Sequence, residues 1–166
     1  MAAEPLLRAL ARMRALILDD QALVRAVASG RQRGREARWR RVEFRYVDLK
    51  GGRHLQITAY DATQAHTSNH LAGDAAREAV DDLLEDPFAN WHVETTTQQH
   101  QLRVTKKLEA MVHTSDRATP VEARRGHDKP KDRLLPEDDP VLVALGISGK
   151  DGRIKQRCKP NRTADE

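Results

Sequence analysis

Arg41-Val42-Glu43-Phe44-Arg45-Tyr46, then Lys50-Gly51-Gly52, then His54-Leu55-Gln56-Ile57-Thr58-Ala59 is the stretch that decides how this chain is read. Val42, Phe44 and Tyr46 alternate with charged residues, and Leu55, Ile57 and Ala59 alternate with polar ones. A period of two places each apolar set on one face of a strand. The Lys-Gly-Gly between them is a turn signal, so the two runs predict a β-hairpin with one buried face.

Downstream of the hairpin, Asp61–Asn69 is polar and reads as a loop. Gly73–Glu85 carries Ala75, Ala76, Ala79, Val80, Leu83 and Leu84 at helical spacing, with Arg77, Glu78, Asp81 and Asp82 opposite, and Pro87 stops it. Trp91 and Val93 mark a third strand, Leu102 and Val104 a fourth, and Ala110–Val112 a fifth. The order β-β-α-β-β, with the fifth strand as an addition at its end, predicts an α+β fold, a small antiparallel sheet with one covering helix. Upstream, Pro5–Leu18 reads as an amphipathic helix. Asp19-Asp20 reads as the cap of a second helix, with Leu23, Val24 and Val27 on its apolar face and Gly30 as its stop. The expected organisation is a helical segment over 1–30, an α+β domain over 31–113 and a basic extended linker over 114–136. A short capped docking helix and turn follow over 137–152, and a disordered tail over 153–166.

Composition bounds the function. The chain has 166 residues, of which 39% are hydrophobic, only 4% aromatic and 33% charged. This predicts a modest core with solvated flanks. A single cysteine, Cys158, excludes an intrachain disulfide and a cysteine-based zinc site. No secretory signal is visible and no apolar run reaches the roughly 18 residues of a membrane span, so a cytoplasmic protein without a membrane partner is expected. His66 and His70 are four apart, but the glutamate of a zinc-protease motif is missing. Gly146, Gly149 and Gly152 follow a helix and lack the strand that precedes a dinucleotide loop. Read from residues alone, the chain has no catalytic, cofactor-binding or metal-binding site.

Positive charge is the informative feature. The net charge is +4 and the isoelectric point is about 9.5. Arg31, Arg33, Arg35, Arg38, Arg40 and Arg41 put six guanidinium groups in eleven residues. Guanidinium pairs with phosphate in a two-pronged fork and stacks on bases. These six, with Lys129, Lys131 and Arg133 further on, are the candidate nucleic-acid contacts, and RNA is the expected polyanion. Trp39 reads as the first core residue of the next strand, with a stacking surface as the alternative.

The chain also resembles the N-terminal half of a family of bacterial class I S-adenosylmethionine-dependent methyltransferases of about twice its length. The resemblance rests on Leu49-Lys50-Gly51-Gly52 with Gln56, Thr67 to Asn69, Phe88, Asn90 and Thr95, and on Thr105-Lys106-Lys107. It continues through His127-Asp128, Lys131, Leu134-Leu135, Leu145-Gly146-Ile147 and Gly152-Arg153-Ile154-Lys155. Leu108 departs from it, standing where the family has glycine in a turn. The resemblance implies a truncated, frameshifted or split member that lacks the catalytic half. The chain alone is then inactive and holds no cofactor; S-adenosylmethionine belongs to the full-length family. A missing or separately encoded methyltransferase domain is its partner. The expected role is substrate recognition, and the alternative is a free-standing small basic RNA-binding or adaptor protein.

Overall fold

The computed structural model describes residues 3–126 and 140–145. The chain divides into two compact units, Met1–His127 and Asp128–Glu166. In the second, α3 spans Pro140–Ala144, and the Leu145 amide donates to the Val141 carbonyl at 2.9 Å. This is the short helix expected after Asp139-Pro140. The tail 153–166 lies outside the described residues.

The first unit is an α+β fold with one wholly antiparallel sheet of eight strands, larger than the sequence pattern predicts. The strands are β1 (Ala3–Pro5), β2 (Leu23–Arg31), β3 (Arg41–Leu49), β4 (Gly52–Tyr60), β5 (Ala65–Leu71), β6 (Phe88–Thr95), β7 (Gln98–Val104) and β8 (Glu109–Asp116). Their order across the sheet is β1-β8-β7-β6-β2-β3-β4-β5. Helices α1 (Leu6–Leu18) and α2 (Asp74–Leu84) pack on the sheet, so two helices cover it rather than one. Ala9, Met13 and Ile17 of α1 and Ala76, Val80 and Leu83 of α2 join Phe44, Leu55, Trp91 and Val93 in a single buried cluster. Phe44 and Trp91 stack with centroids 6.3 Å apart, and Phe88 meets Trp91 edge-on at 5.7 Å.

The predicted second helix is instead β2, a central strand of the sheet. Ala26 and Ala28 point into the core, between Phe44 and Val93 and between Val42 and Trp91 respectively. Small side chains there leave room for the large aromatics alongside. Alanine is the best helix former, but burial between two strands overrides that weak preference. A bulge between Leu23 and Arg25 also breaks the period of two. Asp19 does cap backbone amides, with Oδ1 accepting from Gln21 at 3.1 Å and Ala22 at 3.0 Å. The capped feature is a tight turn, closed by the Leu23 amide on the Asp19 carbonyl at 2.9 Å. The described part of the 1–30 segment therefore shares the core of the sheet.

The predicted polar loop over 61–69 is largely β5, an edge strand whose residues are nearly all exposed. With neither face buried, it carries no apolar alternation to read. The N-terminal part of the predicted linker is tied down. Residues 114–116 complete β8, the Arg117 amide bonds the Thr97 carbonyl at 2.8 Å, and the Val121 amide bonds the Thr96 carbonyl at 2.9 Å. Arg125 donates to the carbonyls of Asp20 and Gln21, each at 2.9 Å. No helix among the described residues is long and apolar enough to cross a membrane.

Candidate nucleic-acid interface

Helices α1 and α2 occupy one face of the sheet, so within the first unit the opposite face is free of both. Its side chains are the polar alternates of the strands, and the strand register lines them up in rows. One row runs Arg41, Ser29, Asn90, Arg103, Met111 across β3, β2, β6, β7 and β8. The next runs Glu43, Val27, His92, Gln101, His113 across the same strands. A cavity of about 630 Å³ lies over these two rows. Gly30 packs against Asn90, which lines the cavity; its φ is +67°, and a Cβ there would lie 2.9 Å from the Asn90 amide nitrogen. Only glycine takes that backbone angle readily.

The six arginines of the 31–41 segment divide by what they touch. Arg38 is structural. Its Nε donates to both carboxylate oxygens of buried Asp86 at 3.1 Å, and its Nη2 donates to the Asp82 carboxylate at 3.0 Å and carbonyl at 2.9 Å. These bonds hold its guanidinium pKa above the ordinary value. Arg41 pairs with Glu43 at 2.7 Å and lies 6.0 Å from the Tyr60 ring centroid. Arg35 donates to the Gln32 side chain at 3.3 Å. Arg31, Arg33 and Arg40 make no ion pair among the described residues. Trp39 is partly buried against the core, with its ring 5.3 Å from that of His66. The segment is pinned at both ends: the Gln32 amide bonds the Pro87 carbonyl at 2.9 Å, and the Arg40 amide bonds the Tyr60 carbonyl at 2.8 Å.

Two of the unpaired arginines have company that the sequence did not announce. Arg31 and Arg33 line a second cavity, of about 310 Å³, together with Arg103 at the end of β7 and Lys106 in the β7–β8 turn. No acidic residue lines it, and none of the four cations is in an ion pair among the described residues. Asn90 and Arg103 line both cavities, so the basic pocket opens onto the groove. Charge is balanced elsewhere on this face: Arg25 pairs with Glu43 at 3.0 Å, and Arg117 pairs with Glu94. Arg103, Lys106, His92, Gln101 and His113 were not singled out as contacts in the sequence. For Arg103, His92, Gln101 and His113 the signal was their place as outward alternates of strands, and for Lys106 its place in the β7–β8 turn; these become a site only once the pairing is known. Lys129, Lys131 and Arg133 lie outside the described residues.

The histidines and glycines that the sequence singled out for other chemistry have ordinary partners where they are described. His66 Nε2 lies 2.9 Å from Asp61, and His70 Nε2 lies 2.9 Å from the Ser68 hydroxyl. No group of three or more metal-ligating side chains exists among the described residues. Gly51-Gly52 forms the β3–β4 hairpin turn, and the sheet has no parallel strands. The strand, glycine loop and helix that cradle an adenosyl cofactor are therefore not formed by the described residues. No family model, curated protein or solved structure matches this chain.

Proposed function

We propose that the chain binds single-stranded RNA on the open face of its sheet, with phosphates held at the basic end. The observation that supports this best is the gathering of Arg31, Arg33, Arg103 and Lys106, from three separate segments, around one acid-free pocket. Four like charges repel one another, and a polyanion is the partner that relieves that repulsion. An open antiparallel face suits a splayed single strand, whose bases can lie on the sheet while its backbone follows the positive edge.

Under the methyltransferase resemblance this is a substrate-recognition role. Methyl transfer, and the S-adenosylmethionine that supplies the methyl group, belong to another domain. Calorimetry of this chain with S-adenosylmethionine should then show no saturable binding, and tight binding would reverse that part of the reading.

Salt dependence tests the RNA reading. Four phosphate contacts on a single strand correspond to a log–log salt slope of about −3, at roughly 0.7 per contact. The triple variant Arg31→Ala/Arg33→Ala/Arg103→Ala should bring the slope close to −1 and weaken binding to all RNA sequences alike. Affinity and slope unchanged in that variant would refute the site.

A further inference from the structure

We infer that the groove beside the basic pocket reads RNA bases, so that the protein is sequence-selective rather than a general polyanion binder. This rests on the RNA-binding reading. The groove and the basic pocket share Asn90 and Arg103, so a nucleotide whose phosphate sits against Arg103 has its base over the neighbouring row. The two rows together offer what a base requires. Val27 and Met111 give partly buried apolar surface, and the imidazoles of His92 and His113 give planar faces for stacking. The Gln101 side-chain amide, directly between the two histidines in register, gives a donor and an acceptor side by side. The cavity, at about 630 Å³, falls within the roughly 300–1,000 Å³ of small-molecule sites.

Backbone contacts do not distinguish sequences, whereas amide contacts to base edges do. The two sets of residues therefore have separable effects. Fluorescence anisotropy with short homopolymers of A, C and U measures both. The wild-type protein should prefer one homopolymer by about tenfold, and Gln101→Ala/His113→Ala should bring all three to within about twofold of each other. The salt slope of that variant should match the wild type, because its cations are intact. Both replaced residues are exposed, and circular dichroism verifies that the variant folds. Equal affinity of the wild type for all three homopolymers, or a preference that survives in the variant, overturns base reading but leaves RNA binding standing. Binding to none of them overturns RNA binding itself, and base reading with it.

Discussion

Replacing Arg38 with alanine should destabilise the first unit, whereas the same change at Arg40, two residues on, should do little. Asp86 is 8% exposed, and its carboxylate has Arg38 as its partner: both oxygens accept from Nε, and Oδ1 also lies 3.4 Å from the Arg38 backbone amide. Removing the guanidinium leaves that weak amide contact alone. Removing one member of a fully buried pair costs about 3–5 kcal/mol, while an exposed pair is worth about 0–1 kcal/mol. The Arg38 side chain is 51% exposed, so water enters where the guanidinium was and recovers part of the loss. The expected cost is about 1–2 kcal/mol, read as a lower urea midpoint at unchanged slope. Arg40 touches no acid, so Arg40→Ala should stay within about 0.5 kcal/mol of wild type. In an Asp86→Ala background the Arg38 change should lose much of its effect, since the charge it served is gone. Equal midpoints for the two single variants would refute the division of the arginine segment into structural and surface members.

At Leu108 the usual order of alanine and glycine should reverse. This residue has a φ of +61° in the turn where its amide bonds the Thr105 carbonyl at 3.0 Å. Both Leu108→Gly and Leu108→Ala remove the side chain, but only glycine is free of strain at that angle. The glycine variant should be the more stable of the two by about 1 kcal/mol in urea. His100 predicts a pH dependence. Burial, with a smaller contribution from Arg12, lowers its pKa in the folded protein. Above about pH 8 neither state carries the proton to a significant extent. As pH falls below the ordinary histidine value of about 6.5, the unfolded chain takes up a proton that the folded one resists, so stability drops until the folded pKa is passed. Urea midpoints between about pH 7.5 and pH 5 should fall for the wild type and fall less for His100→Leu.

Legibility in the sequence followed burial. The β3–β4 hairpin, α1 and α2 each bury one face against the core, and each showed the matching period. β2 did not, because two of its three core positions are alanines, its outward positions include Val24 and Val27, and a bulge shifts the register at Leu23–Arg25. β5 was invisible because an edge strand with both faces wet has no pattern to show. The site divides the same way. A dense arginine run is visible in one dimension, but that Arg38 is occupied is decided by Asp82 and Asp86, more than forty positions away on α2 and just beyond it. Arg103 and Lys106 join Arg31 and Arg33 only because β6 lies between β2 and β7 in the sheet.

The central claim is that RNA lies on the sheet face opposite α1 and α2. Photo-cross-linking of the full chain to a short RNA carrying 4-thiouridine, followed by peptide mass spectrometry, tests it most directly. Cross-links should fall in peptides of β6, β7 and β8, around His92, Gln101 and His113, and in the Arg31–Arg33 segment. Cross-links confined to α1 and α2, or to residues beyond Gly126, would contradict the account.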